Sequence, residues 1–236
     1  MKYIAIITLA WLLLFVDISN IQAQNRHDFG IWSGIKLNQK IYKGLSSSYR
    51  GQVRLQGNAA YFKSTFANLG LNYKFHDIFT FTAGYRYTIK PQRNNHRVYG
   101  DAKFTYRPKN LRTTFKLRLR GQYSTSNDFS NLPTTILRPR LYIGYHPKGK
   151  FAKRFNFYIT GEIFYEFVQS SNSLNKYRLS GGVTYEINDD ITLNLRYVYN
   201  DDIGIVEPVQ DNILFIGMEI DLPKCKFKKK KTKDKD

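Results

Sequence analysis

The side chains best suited to nucleophilic or acid–base catalysis are sparse in this sequence and are not grouped. Its 236 residues include four histidines and one cysteine, and that cysteine, Cys225, lies among lysines near the C-terminus. Catalysis by a histidine-activated serine would need the two side chains held together, and no Gly-x-Ser-x-Gly elbow is present. Metal binding would need a histidine–carboxylate cluster, which is also missing. The sequence therefore predicts no catalytic residue, no metal site and no cofactor.

Arginine is the functional side chain that the sequence repeats at a regular spacing. Arg118 and Arg120, and again Arg138 and Arg140, are two residues apart, so each pair would point to the same face of a β-strand. Guanidinium groups bind carboxylates and phosphates through paired hydrogen bonds. The whole chain carries 37 Lys and Arg against 18 Asp and Glu, a net charge of +19. Whether these bases form ion pairs or attract anions depends on the arrangement of the strands.

An alternation of apolar and polar side chains with a period of two runs through most of the chain and predicts β-strands. Most of the strands span 10–16 residues, against about five or six in ordinary globular proteins. A tilted strand needs about 9–11 residues to cross a bilayer, so this length favours a transmembrane barrel. The predicted strands are residues 29–38, 44–56, 60–75, 78–90, 95–107, 111–123, 134–146, 155–167, 174–187, 191–200 and 212–222.

The N-terminal residues predict export. Lys2, a 13-residue apolar run and small residues up to Ala23 have the layout of a secretory signal peptide. We expect a signal peptide at 1–23, a barrel at 24–222 and a lysine-rich disordered tail at 223–236. Beyond the first 25 residues, no apolar run approaches the about 20 that a spanning helix needs. The predicted fold is an all-β, antiparallel, up-and-down transmembrane β-barrel in the bacterial outer membrane.

The number of strands is predicted as ten or twelve. Eleven segments alternate, whereas single-chain bacterial barrels have an even number of strands. Either residues 29–38 are not a full wall strand, which gives ten, or one strand is missed, which gives twelve. Predicted short turns alternate with longer loops, which assigns the longer loops to the external side. Aromatic residues cluster toward both strand ends, as at the two interfaces of a membrane.

Six short motifs follow one another along residues 28–222 in a specific order. They are Ile31-Trp32, Tyr85-Arg86-Tyr87, Asn95-His96-Arg97, Leu117-Arg118-Leu119-Arg120, Glu162-Ile163-Phe164-Tyr165-Glu166 and Tyr177-Arg178-Leu179-Ser180-Gly181-Gly182. In this order the chain resembles the family of predicted Gram-negative outer-membrane β-barrels catalogued as domain of unknown function (DUF) 2490. The resemblance implies an outer-membrane barrel and brings no established activity or ligand. One departure is the last strand, which ends at Asp221-Leu222 rather than at an aromatic residue.

If the apolar face of each strand meets lipid, the polar face lines the lumen. The alternation assigns fourteen bases and five acids to that face, an excess of nine bases. Unpaired charge in a dry core is prohibitive, so this interior must be hydrated, ion-paired or both. Two interpretations remain open: arginine–carboxylate ladders that brace a narrow barrel, or a basic lumen that selects anions. The lumen-lining bases are Arg50, Arg54, Arg86, Arg97, Lys103, Arg112, Lys116, Arg118, Arg120, Arg138, Arg140, Lys176, Arg178 and Arg196, and the acids are Asp101, Glu162, Glu166, Glu186 and Glu219.

The predicted function is non-enzymatic: a structural outer-membrane barrel, or a narrow pore for small anionic solutes. The expected partners are outer-membrane lipid, including the phosphates of lipopolysaccharide, and the barrel-assembly machinery, with small anions as candidate solutes. Export argues against nucleic acid as a partner, despite the basic composition. The tail at 223–236 carries eight lysines and two aspartates, and is expected either to solubilise the chain or to touch anionic lipid.

Two alternatives to this function remain. A lipid-modifying enzyme would use His96, the one histidine near the external rim, although the alternation points it toward lipid. A loop-mediated adhesion or assembly role would use the predicted loops at 124–133 and 201–211. Glu162 and Glu166 share a face closely enough to perturb each other's protonation, and pairing with arginine is their expected role.

Overall fold

Strands account for nearly all of the chain that the computed structural model describes, which comprises residues 26–127, 133–167, 172–204 and 209–225. A three-residue 3₁₀ turn at Ala152–Arg154 is the one helical element in those ranges, and none there is long and apolar enough to cross a membrane. The predicted signal peptide and most of the predicted tail lie outside the described residues. The strands are β1 (Arg26–Tyr42), β2 (Leu45–Gln56), β3 (Tyr61–Lys74), β4 (Phe79–Ile89), β5 (Asn95–Tyr106), β6 (Thr113–Ser126), β7 (Thr134–Tyr145), β8 (Phe155–Phe167), β9 (Asn172–Glu186), β10 (Ile191–Asp202) and β11 (Val209–Leu222).

These strands close into a barrel of eleven, so the prediction of ten or twelve is wrong. Consecutive strands pair antiparallel, and β1 closes on β11 in parallel, from Arg26 opposite Val209 to Gln39 opposite Leu222. With an odd number of strands the first and last run in the same direction, so the ladder that joins them has to be parallel. Each alternating segment, including 29–38, is therefore a full wall strand. The prediction failed because it assumed that the number of strands must be even.

Because β1 and β11 run in the same direction, the described chain starts at one rim of the barrel and ends at the other. We call these the amino-terminal rim, where Arg26 lies, and the carboxy-terminal rim, where Leu222 lies. The predicted alternation of short turns and long loops does not separate the two rims. The carboxy-terminal rim carries both the shortest connection, 43–44, and the longest, 146–154.

The two faces of the wall have opposite polarity. On the outward face Leu69, Ile159 and Leu179 are each more than half exposed, whereas on the inward face Arg138 is 7% and Glu162 is 4% exposed. This is the reverse of a protein folded in water, where charged side chains are almost never buried unless paired. A contiguous apolar surface of this kind marks a face that contacts an apolar medium or partner.

Candidate functional site

The inward faces of the strands bring together most of the residues that the alternation assigned to the lumen. The register sets like charges side by side on neighbouring strands, with Arg118 opposite Arg140 and Arg120 opposite Arg138. Like charges in directly opposed positions repel, so acids, rings or solvent must separate them. The predicted residues on this face within the strands, well inside the rims, include Arg86, Asp101, Lys116, Arg118, Arg120, Arg138, Arg140, Glu162, Arg178 and Arg196.

Glu162 on β8 is the acid around which three of these arginines gather. Its carboxylate accepts hydrogen bonds from Arg118 and, at 3.0 Å, from Arg138, and Arg178 lies 3.6 Å away. The Glu162 side chain is 3% exposed, and a carboxylate so deeply buried would be costly without these partners. Because the three arginines come from β6, β7 and β9, one carboxylate ties four strands together.

Asp101 and Arg120 form a second buried ion pair, between β5 and β6. The guanidinium donates to both carboxylate oxygens, at 2.6 and 2.7 Å, and the two side chains are at most 10% exposed. The ring of Tyr99 lies 4.0 Å from the same guanidinium. Two parallel hydrogen bonds fix the orientation of both groups, so this pair is a rigid part of the wall.

Aromatic rings separate several of the arginines and form a belt around the inside of the barrel. Guanidinium carbons and ring centroids alternate along it at separations from 4.0 Å, for Arg86 on Phe66, to 5.5 Å, for Arg178 on Trp32. Such cation–π contacts stabilise guanidiniums that are removed from water. Val198 of β10 and Ile213 of β11, each 1% exposed, pack on Trp32. The members of this guanidinium–aromatic belt, in order of contact, are Arg86, Phe66, Arg54, Trp32, Arg178, Phe164 and Arg138.

Two cavities lie on opposite sides of the belt. The rim cavity, of about 700 Å³, faces the amino-terminal rim and is lined by Asp28, Lys63 and Lys176 among others. The inner cavity, of about 240 Å³, lies on the carboxy-terminal side, and no residue lines both. Asp101 is the one acid among the residues that line the inner cavity, against nine bases. These are Lys36, Arg50, Arg86, Lys103, Arg118, Arg120, Arg138, Arg140 and Arg196.

The interior offers more hydrogen-bond donors than acceptors. Within the described ranges, Arg50, Arg140 and Arg196 make no ion pair. Two buried side-chain oxygens lack a partner there, on Ser126 and Asn156. Buried donors nearly always find an acceptor, so the excess suits solvent or an anion. Six buried nitrogens lack an acceptor among the described residues: Trp32 Nε1, Gln52 Nε2 and the Nε atoms of Arg54, Arg118, Arg138 and Arg196.

Two predicted lumen residues lie at the carboxy-terminal rim instead of inside the wall. Arg112 is in the turn before β6, where its guanidinium donates to the carbonyl of Pro147 at 3.3 Å. Glu186 is the last residue of β9 and is exposed. Neither lines the two cavities described above.

Two others lie toward the amino-terminal rim. Glu166 accepts a hydrogen bond from the amide of Asn175, and Arg97 donates to the hydroxyl of Ser124 at 2.9 Å. Lys90 follows β4 at this rim, and its partial burial, together with the positive charge of Arg97, lowers its pKa from the ordinary lysine value. Lys90 and Arg97 thus add two bases to this rim, whose cavity is lined by three aspartates and two lysines.

The aromatic residues of the interior were missed by the sequence reasoning, which placed aromatics on the lipid-facing wall. A signal for them was present in the alternation. Tyr99 stands between Arg97 and Asp101 at a spacing of two, and Phe164 follows Glu162 in the same way. An aromatic residue two positions from a charged residue on the same strand is therefore the pattern that would have predicted the interior rings.

His96, the candidate for lipid-modifying chemistry, lies on the outward wall among tyrosines. Its Nδ1 is 2.5 Å from the hydroxyl of Tyr85, and its ring centroid is 5.0 Å from that of Tyr87. In the described part of the chain, no three His, Cys, Asp or Glu side chains are grouped so that they could hold a metal ion. The geometry around His96 thus fits an aromatic cluster at the end of the wall.

The described strands form a closed all-β barrel with a polar interior and an apolar exterior. A solved structure of the NanC porin, in a rhombohedral crystal form, matches it with a TM-score of 0.54 and 15% sequence identity, over 83% of this chain and 98% of that one. The chain belongs to the DUF2490 family, described as proteins of unknown function, whose model matches residues 29–202. No curated protein matches the sequence significantly.

Proposed function

We propose that this protein is an integral outer-membrane β-barrel that passes small anions through a basic lumen. The membrane assignment is supported by the apolar outer face, by strands of 11–17 residues and by the porin-like fold. The single observation that carries the anion pathway is the inner cavity, where nine basic side chains meet one acid. Rings of basic side chains attract anions and repel cations.

The guanidinium–aromatic belt is the constriction of this pathway. An anion that enters the rim cavity meets Arg54 and Arg178 in the belt and is passed to Arg140 and Arg196 beyond it. Several weak sites in series allow entry and release, whereas one tight site would hold the ion. Side chains alone close this constriction, so rotamer changes suffice to open it.

A second candidate is a purely structural barrel. The carboxylates of Glu162 and Asp101 each hold buried arginines, and the belt fills the cross-section between the two cavities. In that case the interior charge braces the wall and conducts nothing. Under both candidates we propose that the protein is not an enzyme: no histidine is among the described residues that line the inner cavity, and His96 faces outward among tyrosines.

We also propose how the protein is exported and what surrounds it in the membrane. The protein would lose a signal peptide at 1–23, be inserted by the barrel-assembly machinery and carry its amino-terminal rim outward. Outer-membrane lipid would surround the wall, with the phosphates of lipopolysaccharide at the amino-terminal rim. The tail at 223–236 would lie in the periplasm.

Conductance of the refolded protein in a planar bilayer under a KCl gradient tests the anion pathway. We expect current steps whose reversal potential favours chloride, and a shift toward potassium when Arg140 and Arg196 are both changed to Glu. Arg154→Glu is the matched control, because Arg154 lies in the 3₁₀ turn at the carboxy-terminal rim. Silence from protein that is demonstrably folded would favour the structural barrel instead.

A further inference from the structure

Arg50, Arg140 and Arg196 are three of the interior arginines that make no ion pair in the described ranges. They come from β2, β7 and β10, and all three line the inner cavity. The charge of Arg140 is attracted by Glu162, which lies opposite it on β8, and is repelled by Arg196 and Arg50. Arg120 and Arg138, each in an ion pair, are at most 8% exposed, whereas these three side chains are accessible from the cavity. The interior bases thus divide into a braced group and an accessible group.

A recess beside Arg50 and Arg196 extends this accessible group into the wall. It holds about 60 Å³ and is lined by Gln52, Asn194, the glycine pair of the seam and the ion pair of Lys36 with Glu219 among others. Gly34 and Gly217 face each other across the parallel ladder. A Cβ on Gly34 would lie 2.6 Å from the carbonyl of Gly51, and one on Gly217 would lie 2.5 Å from the ring of Phe215. Glycine is therefore required at both positions, and the ring of Phe215 covers Gly217 where the recess begins.

The recess presents donors that the protein does not satisfy. Gln52 is 6% exposed, and its side-chain nitrogen has no acceptor among the described residues. The Nε of Arg196 is also buried and also has no acceptor among the described residues. A buried amide N–H and a buried guanidinium N–H, next to two guanidinium groups that make no ion pair in the described ranges, match a group that is both an acceptor and an anion.

We infer that Arg50, Arg196 and Gln52, with Arg140 facing them across the inner cavity, form a binding site for a small oxyanion, a carboxylate or a phosphate group. Guanidinium forks pair with such planar or tetrahedral oxygens through two hydrogen bonds, which a spherical halide cannot match. The volume of the recess, about 60 Å³, is larger than the about 10–15 Å³ that one water needs. The recess therefore accommodates a carboxylate or a phosphate group. The inference deepens the proposed anion pathway, because it makes the pathway saturable and selective among anions.

Isothermal titration calorimetry of the folded full-length protein in detergent micelles tests the site. Sodium phosphate and sodium acetate are titrated separately at constant ionic strength, with sodium chloride as the reference titration. We expect saturable binding of at least one oxyanion and none of chloride. Arg50→Gln and Arg196→Gln should each weaken it about tenfold or more, because each removes charged hydrogen bonds to the anion. Arg154→Gln, at the carboxy-terminal rim, should leave the affinity unchanged.

The outcomes separate this site from the pathway. Phosphate binding without acetate binding, or the reverse, supports the site and identifies the group. Equal heats for all three salts, no saturable heat, or an affinity unchanged in both Arg50→Gln and Arg196→Gln would overturn it. Anion-selective conductance without saturable binding leaves a pathway that lacks the site. Binding without conductance leaves the site and removes the pathway. Because no ion pair is lost in either variant, folding should survive, and migration on electrophoresis before and after heating verifies it.

Discussion

Arg138 donates to Glu162 at 3.0 Å in a part of the barrel interior where both side chains are at most 8% exposed. The same carboxylate holds Arg118 and Arg178, so three bases share a single acid. Removal of one partner of a buried ion pair leaves an uncompensated charge, whereas removal of a base that has no partner relieves repulsion. This difference makes the role of each interior arginine open to experiment.

Glu162→Gln should be the most damaging isosteric change in the interior. It leaves three buried guanidiniums without their acid, and we expect the free energy of unfolding to fall by about 3–5 kcal/mol. Urea unfolding of the reconstituted protein measures this value. The control is Glu186→Gln at the exposed end of β9, which should change stability by less than about 0.5 kcal/mol. Equal effects of the two substitutions would show that Glu162 is not a brace.

Arg118→Gln and Arg140→Gln should differ in their effect on the free energy of unfolding, although the two residues face each other across β6 and β7. Arg118 donates to Glu162, so its loss should cost about 1–3 kcal/mol of unfolding free energy. Arg140 makes no ion pair in the described ranges, and its loss should be neutral or stabilising at low ionic strength. Urea midpoints of the two variants provide the comparison. A comparable cost at both positions would contradict the division into braced and accessible bases.

Trp32→Ala should open the guanidinium–aromatic belt. The ring is 4% exposed and contacts both Arg54 and Arg178, so its removal leaves a gap between the rim cavity and the inner cavity. We expect a larger unit conductance in planar bilayers, together with a loss of about 3–5 kcal/mol in stability. Phe167→Ala, on the outward face, is the control and should leave conductance unaltered. An unchanged conductance in Trp32→Ala would place the constriction elsewhere.

A disulfide between β1 and β11 should form in the variant Ser33→Cys, Ile216→Cys, with Cys225→Ser to remove the native thiol. Ser33 and Ile216 are Cα partners in the parallel ladder, within the separation that a disulfide spans. Mass spectrometry after mild oxidation detects the link. Ser33→Cys with Ile220→Cys is the offset control, because four residues along a strand add about 13 Å. Cross-linking of the offset pair, and not of the matched pair, would refute the eleven-strand closure.

The sequence predicted the strands and their inward faces well because the signal for both is local. A period of two fixes which way Arg118 and Leu119 point wherever their strand pairs, and the structure places them on opposite faces. Closure of the barrel is not local. The pairing of Ser33 with Ile216 joins residues from opposite ends of the chain. The sequence does not show this pairing, so the prediction relied on the general rule that bacterial barrels have an even number of strands.

For a related reason, the sequence could not predict which interior bases are braced by an acid and which are accessible. Arg140 and Arg138 lie on one strand, two residues apart, and the alternation treats them alike. The strand register places Arg140 opposite Glu162, and only the side-chain geometry shows that Glu162 accepts from Arg138 instead. Arg140 lines a cavity that also contains Arg50 and Arg196. The stacking of Arg178 on Trp32 likewise depends on side chains from β9 and β1 that meet across the width of the barrel.

The parallel seam between β1 and β11 has a practical consequence for engineering. In a barrel with an even number of strands the two chain ends emerge together, and a short linker can join them to make a circular permutant. Here Arg26 and Leu222 emerge on opposite sides, so such a linker would have to thread the interior or run along the outer wall. In the membrane proposed above, fusion of one epitope to each end would instead label both sides with a single polypeptide.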